Sequence, residues 1–481
     1  MSKGAIIKFA VASFFIIAAA TSFAKAPPEI DPFTHTSTEA GKPYTRDVTQ
    51  PPTKTPLTVP TDAPVPGRLF NLTDLVDIAL KNNPSTSHAW YVAQEQAAAW
   101  GIARGAYYPK LDGSLKGNAG KIPTTLGSKS FFTAGAALNY LLFDFGGRSA
   151  TIQSAKQALI AANLNHNQAI QDLLRDVPQA YYILTGRKAL VVSYEQNLKE
   201  ARVSLNAAEQ RKLAGVATVA DVLEAKANEQ QIVYDLAKAK GDVEVARGKL
   251  AVLVGWPVNA SFEIETIPAV TPIKGMSDDV NKMISDAQKN RADLNASVAL
   301  AHKQEAEIKK ARAAMLPTFN GTGNLQYTKQ RYWDETGYYG GLQIAIPIFE
   351  AFTLKNRLRQ TEAQLKAAIS DIESKKLKIM DEVWSAYYNF DTSRVQLSAA
   401  IALLASASES YDVSLARYKA GAADIVELMT TQTQLAKARS QLDTTRMAYF
   451  VNYAELIHSV GEEYTSANVG EEFQKILKEV D

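Results

Sequence analysis

Thr318-Phe-Asn-Gly-Thr-Gly-Asn-Leu-Gln-Tyr327 alternates without a fault. Thr318, Asn320, Thr322, Asn324 and Gln326 fall on one side, and Phe319, Gly321, Gly323, Leu325 and Tyr327 on the other. A period of two with one wet and one apolar face predicts a β-strand. The pattern has a counterpart earlier in the chain. There Lys110, Asp112, Ser114 and Lys116 alternate with Leu111 and Leu115. Returning strands are predicted through Ala136, Leu138 and Tyr140, and through Leu342, Ile344 and Ile346. Two hairpins are thus expected, at about 109–143 and about 317–347, with strands of about ten residues, the length that crosses a bilayer when tilted. Aromatics gather toward the expected strand ends: Tyr107, Tyr108, Phe131, Phe132 and Phe143 in one hairpin, and Tyr332, Trp333, Tyr338, Tyr339 and Phe349 in the other. They are read as girdles at the two membrane interfaces. A soluble sandwich is the competing reading, and two hairpins set far apart in the chain fit it poorly. Four strands cannot close a barrel, and an open edge cannot exist in lipid. Several chains must each donate four. Two would give eight strands with a filled interior, three would give twelve with a pore, and counting alone leaves four open.

The two hairpins belong to an internal duplication. Asn82-Asn83-Pro84 aligns with Asn290-Arg291-Ala292, and Tyr108-Pro109 with Leu316-Pro317, both at an offset of 208. Leu142-Phe143-Asp144 aligns with Ile348-Phe349-Glu350, Ala180-Tyr181-Tyr182 with Ala386-Tyr387-Tyr388, and Arg211 and Gly215 with Arg417 and Gly421, all at 206. A net difference of two residues between Pro109 and Phe143 reconciles every match, and it falls at a hairpin loop. The expected division is residues 69–255 for the first repeat, 256–275 for a linker and 276–461 for the second repeat, with a tail at 462–481.

Each repeat continues into very long helices. These are predicted at about 147–213 and 218–255, and at about 352–419 and 424–460. A helix of about 67 residues is about 100 Å long. Leu354, Leu358, Thr361, Leu365, Ala368 and Ile372 step by four and three, a coiled-coil seam. Lys375 and Arg439 interrupt the seams, which suggests a wall with one wetted face. Pro178 should kink the first long helix, because it lacks a backbone donor. Tyr181-Tyr182 and Tyr387-Tyr388 are read as packing wedges midway along it and its mate.

Composition narrows the function classes. Lys plus Arg number 52 and Asp plus Glu 50, so no surface for nucleic acid is indicated. The chain has no cysteine, which excludes disulfides, thiolate chemistry and a lipidated N-terminal Cys. Its 5 His show no metal-ligand spacing, and no GxSxG, GxxxxGK or HExxH motif is present. No enzyme activity, cofactor or metal is therefore expected. Lys3 and Lys8, the apolar run Phe9–Ala20 and the small residues that follow read as an export signal at 1–24, cleaved after Ala24 or else Ala26. Residues 25–68 are rich in Pro and Thr and are expected to be extended or strapped along a surface.

These features together resemble the TolC family of outer-membrane efflux proteins. The likeness rests on the duplicated halves, Asn-Asn-Pro at 82–84, Tyr-Tyr-Pro-Lys-Leu at 107–111, Leu-Phe-Asp-Phe-Gly-Gly-Arg at 142–148 and Tyr-Lys-Ala-Gly-Ala-Ala-Asp-Ile-Val-Glu-Leu at 418–428. It covers about residues 69 to 461. The resemblance implies a mixed α/β membrane protein: a homotrimer with a twelve-stranded barrel in the outer membrane, continued by a periplasmic helical tunnel. It also implies a periplasmic adaptor and an inner-membrane transporter as partners. The implied function is the exit duct of a tripartite small-molecule efflux system. A type I protein-secretion duct and a non-conducting periplasmic coiled-coil scaffold are the alternatives. The chain departs from the family pattern at Leu141, where many relatives have proline, as at Pro347 in the second repeat. It also has Ala423 where some relatives carry a basic residue after the tip glycine.

Gly215 and Gly421 mark the reversals between long helices. With Val219, Leu223, Ile425 and Leu428 they are expected to receive the adaptor. Just beyond lie Asp221 and Glu224 in one repeat, and Asp424 and Glu427 in the other. Repeated around a symmetric mouth they would make an acidic channel entrance; otherwise they serve the helix dipole.

Overall fold

The computed structural model describes residues 39–42, 68–121, 128–265, 279–330 and 334–461. The expected signal at 1–24, most of 25–68, linker residues 266–275 and the tail at 462–481 lie outside the described residues. The chain runs β1 (Leu69–Phe70), α1 (Leu72–Asn82), α2 (Pro84–Gly105), β2 (Lys110–Lys121), β3 (Ser128–Phe143), α3 (Gly147–Leu213) and α4 (Val219–Val254). It then repeats the order as β4 (Glu263–Ile264), α5 (Val280–Asn290), α6 (Ala292–Ala313), β5 (Thr318–Gln330), β6 (Asp334–Ala345), α7 (Thr353–Lys419) and α8 (Ile425–Val460). Corresponding helices have equal lengths: 11, 22, 67 and 36 residues in each repeat. Subtracting start positions gives 280 − 72 = 208 for α1 and α5, and 353 − 147 = 206 for α3 and α7.

Local chemistry sets the helix ends. The Asn83 side chain accepts a hydrogen bond from the Ser85 N–H at 2.8 Å, and Pro84 begins α2, where no donor is required. The Asn83 amide also donates to the Leu253 carbonyl at 2.9 Å, tying this turn to the end of α4. In the second repeat Arg291 takes this place. It is buried and ion-paired with Asp293 and Glu382, joining α6 to α7. One junction therefore uses a cap and the other a charge network. Helix α3 continues through Pro178, which is buried.

The duplicated halves are not packed alike. Helix α3 lies between neighbours along its length: α2 and α6 near the four-stranded sheet, α4 and α8 toward the opposite end. Helix α7 is an edge. It packs on α6 and then on α8, and leaves Ile369, Leu377, Trp384, Val395, Leu403 and Val413 exposed. The main core sits midway along the long helices, where α1 and the β1–β4 pair join them. Tyr182 stacks on Phe450 with centroids 4.6 Å apart, and Phe390 packs against Tyr449 and Tyr453. The Tyr181 hydroxyl donates to the Glu265 carbonyl at 3.0 Å. The repeat mates diverge here: Tyr181 and Tyr182 are buried, whereas Tyr388 stays exposed beside Trp384. Residues 39–42 lie against α1 and α3, where the Ala40 carbonyl meets the His166 Nε2 at 2.7 Å.

Polar groups between helices correct one sequence expectation. Arg439 does not face water. Its guanidinium donates to both Glu200 oxygens, at 2.7 and 2.8 Å, and to Asn197 at 2.9 Å, across the α3–α8 contact. Lys375 likewise donates to the Asp293 carbonyl at 3.0 Å. A buried charge needs such partners, which a heptad pattern in one helix does not reveal.

Asp443 lies in the same α3–α8 contact and accepts from the Ser193 hydroxyl at 2.5 Å. Burial raises its carboxyl pKa, against the lowering effects of Ser193 and Arg446. A carboxyl raised in the folded state contributes most below its unfolded pKa, and that contribution is lost as pH rises through its folded value. Asp443→Asn should therefore be as stable as the parent near pH 3 and more stable near neutrality, as measured by denaturant unfolding in detergent. A variant that loses stability at neutral pH would contradict this account.

Candidate functional site: the four-stranded sheet and the helical tip

The sheet has the order β2-β3-β5-β6, and every neighbouring pair is antiparallel. Antiparallel partners share a face, so the register assigns each residue a side. Leu111 pairs with Leu138, Leu138 with Gly323, and Gly323 with Gly340. Leu115, Ala134 and Tyr327 make another apolar row, and Phe319 pairs with Ile344. The opposite face carries Lys110, Asp112, Ser114 and Lys116, continued by Asn139, Thr322, Asn324 and Gln326. Nothing among the described residues covers the apolar face: Leu342 is 81% exposed, and Leu115, Leu325 and Ile344 are exposed as well. Both edges of the sheet, β2 and β6, lack a partner strand among the described residues.

Pro347 and Leu141 explain a difference between the hairpins. Strand β6 ends at Ala345, two residues before Pro347, which has no N–H to continue a ladder. Leu141, in the corresponding place, lets β3 run on to Phe143 through a bulge between Leu141 and Phe143.

The aromatic residues divide into groups. Tyr107, Tyr108, Phe143 and Phe349 are exposed at the helix-side end of the sheet. The Arg148 guanidinium lies 4.6 Å over the Tyr107 ring and donates to the Leu141 carbonyl at 2.8 Å, fixing the strand-to-helix junction. Phe143 packs edge-on against Phe145 and Phe319, and Phe349 against Phe352. Phe132 pairs with Lys329 near the hairpin-turn end, and the neighbouring Phe131 pairs with Gln330. Tyr332 and Trp333 lie outside the described residues. Tyr338 and Tyr339 require a correction. They lie within β6 rather than at its end, on opposite faces. Tyr338 pairs with Leu325 on the apolar face, but Tyr339 pairs with Asn324 on the polar one. Consecutive strand residues cannot both belong to one outward belt.

At the far end the long helices reverse in two matching turns. Gly215 and Gly421 have φ of 75° and 79°, the left-handed region in which a side chain is strained. The Val216 N–H donates to the Arg211 carbonyl and the Ala422 N–H to the Arg417 carbonyl, each at 2.9 Å. These are glycine caps of the same type. Ile425 and Leu428 are 6% and 0% exposed in the core of the tip. This burial corrects their assignment as docking residues; their period of three and four is helix-on-helix packing. Val219 and Leu223 are exposed.

The tip carboxylates have local partners. Thr218 and Asp221 form a reciprocal capping box: the Asp221 carboxylate accepts from the Thr218 N–H at 2.8 Å, and the Thr218 hydroxyl accepts from the Asp221 N–H at 3.2 Å. Asp424 caps α8 by accepting from the Glu427 N–H at 2.8 Å. The Glu427 carboxylate accepts from Arg417 at 2.6 Å. Glu224 is exposed. Arg211 donates to the Tyr418 carbonyl, and its guanidinium lies 4.7 Å over the Tyr418 ring. The two arginines were visible in sequence as repeat mates. Their divergent roles were not, because each depends on what the neighbouring turn presents.

No helix among the described residues is long and apolar enough to cross a membrane, and no group of acidic or His residues there could hold a metal. The largest exposed apolar surface of the sheet is the face of Leu115, Leu325, Leu342 and Ile344. The small antiparallel sheet is carried at one end of two 67-residue helices. The chain belongs to the outer membrane efflux protein family, whose sequence profile matches residues 75–256 and 283–462. Protein CyaE of Bordetella pertussis is 27% identical over 401 residues, covering 80% of this chain and 84% of that protein. Outer membrane protein TolC of Salmonella enteritidis is 23% identical over 345 residues, covering 68% and 69%. A crystal structure of a membrane protein from Pseudomonas aeruginosa superposes with a TM-score of 0.74 at 24% identity, over 81% of this chain and 93% of that one. The family consists of channels rather than enzymes, and membership gives this chain an outer-membrane, transport role.

Proposed function

We propose that three copies of this chain close a twelve-stranded barrel in the outer membrane, continued by helices into the periplasm. In this reading the assembly is the exit duct of a tripartite efflux system, receiving small molecules from an inner-membrane pump through a periplasmic adaptor. The pair of bare sheet edges carries the proposal. Alternation through β2-β3-β5-β6 makes β2 and β6 run in opposite directions, so β6 of one copy can pair antiparallel with β2 of the next. Such a head-to-tail contact closes into a ring. Two copies would enclose Lys110, Asp112 and Lys116 in a filled interior, where their charges would be costly; twelve strands leave them a wetted lumen. The exposed apolar residues of α7 and those of α2 and α4, among them Ile102, Tyr234 and Val245, supply a second seam between copies.

The detergent-solubilised protein should have the mass of a trimer and conduct ions in a planar bilayer. A stable conducting monomer or dimer would rule out this assembly. Deleting the gene should sensitise cells to toxic small molecules. Unchanged sensitivity with loss of a secreted protein would replace efflux by secretion.

At the tip, Val219 and Leu223 remain candidates for adaptor docking because they are exposed beside the α3–α4 turn. Asp221 and Glu427 remain candidates for the acidic entrance, since both side chains are partly exposed at the tip. Val219→Asp with Leu223→Asp should abolish adaptor crosslinking in an intact trimer. Asp221→Asn with Glu427→Gln should reduce cation selectivity in bilayer recordings. Unaltered crosslinking places docking elsewhere, and unaltered selectivity leaves the carboxylates with capping alone.

A further inference from the structure

The middle of the sheet's polar face carries one aromatic residue that its alternation does not call for. Two rows of paired residues bracket the middle of that face. One is Lys116, Thr133, Thr328 and Glu335; the other is Lys110, Asn139, Thr322 and Gly341. Between them lie the rows Ser114, Gly135, Gln326, Gly337 and Asp112, Ala137, Asn324, Tyr339. Tyr339 is the only aromatic residue in these four rows. Its same-face neighbours along β6 are Gly337 and Gly341, and Asn324 and Ala137 continue its row across the sheet. Among the described residues no bulky side chain covers Tyr339, which is 65% exposed.

The register that puts Tyr339 on this face is firmly set. A slip of one residue in β6 would turn Tyr339 outward, but it would also carry Leu342 and Ile344 onto the face of Lys110 and Asp112. In lipid that exchange is unfavourable at several positions at once. The outward role is already filled by Tyr338, opposite Leu325.

We infer that Tyr339 projects into the lumen of the closed barrel, one copy per protomer, and forms an aromatic collar that narrows the duct and contacts cationic or aromatic cargo in transit. The inference rests on the barrel proposed above. A phenol ring presents a negative π-face to cations and a flat apolar surface to aromatic groups, and its hydroxyl tolerates water. Glycines on both sides along the strand leave the ring faces accessible. The neighbouring Asn324, Gln326 and Ser114 are neutral, and Asp112, at the other end of the Tyr339 row, adds a negative charge that suits cationic cargo.

The absence of native cysteine allows a direct test. Tyr339→Cys and Tyr338→Cys each introduce a single thiol into the full-length trimer. A charged, membrane-impermeant methanethiosulfonate should modify Tyr339→Cys and change its conductance, and leave Tyr338→Cys untouched. A fluorophore on Tyr338→Cys should be quenched by nitroxide-labelled lipid, and one on Tyr339→Cys should not. Lipid quenching at both positions, or protection of Tyr339→Cys from the reagent, overturns the lumenal placement alone. Quenching at neither position overturns the barrel reading together with it. For cargo contact, tetraphenylphosphonium serves as an aromatic cation. Its block of ion current should weaken about two- to fivefold in Tyr339→Ala and be retained in Tyr339→Phe. Equal block in all three proteins would overturn the collar's contact with cargo.

Discussion

Unpaired backbone groups at the edges of a sheet have no substitute partner in hydrocarbon, and this constraint governs the rest of the molecule. The described chain presents four strands with an apolar face and two open edges, an arrangement that is incomplete alone. Water could satisfy the edges, but it would also meet Leu342, Ile344 and Tyr338. Lipid could satisfy the face but not the edges. The proposed pairing of edges between copies would meet both demands and would make assembly a condition of membrane residence. The exposed apolar side of α7 extends the same incompleteness along the helices.

The duplication shows how one structural unit can be used in two environments. Matching helices have the same lengths, yet α3 is enclosed and α7 is an edge. Position decides what surrounds each copy of a repeated residue. Tyr182 became a buried ring stacked on Phe450, and its mate Tyr388 stays on a free surface. Asn83 caps a helix and reaches α4, whereas Arg291 at the equivalent junction anchors a charge network with Asp293 and Glu382. At the tip, identical glycine turns present different chemistry. Thr218 and Asp221 close one helix start with a capping box, and Asp424, Glu427 and Arg417 close the other with a cap and an ion pair.

Much of this organisation was legible in the sequence because its causes are local or periodic. Strand alternation depends only on the pleat, so the apolar faces of Leu111–Leu115 and Phe319–Tyr327 could be read from residue order. Gly215 and Gly421 mark reversals, because each satisfies a backbone requirement of its own turn. Offsets of 208 and 206, which differ only across one hairpin loop, disclose the duplication from residue order alone. What the sequence left open depends on neighbours distant in the chain. Ile425 and Val219 have similar local patterns, but one is covered by the tip core and the other is not. Arg439 looked like a wetted interruption until Glu200 and Asn197 were placed beside it. Tyr338 and Tyr339 looked like a pair at a strand end until pairing with β5 fixed the limits and sides of β6. Sequence determined which backbone geometries are cheap; tertiary structure decided which side chains lose water, because that depends on what the rest of the chain brings against them.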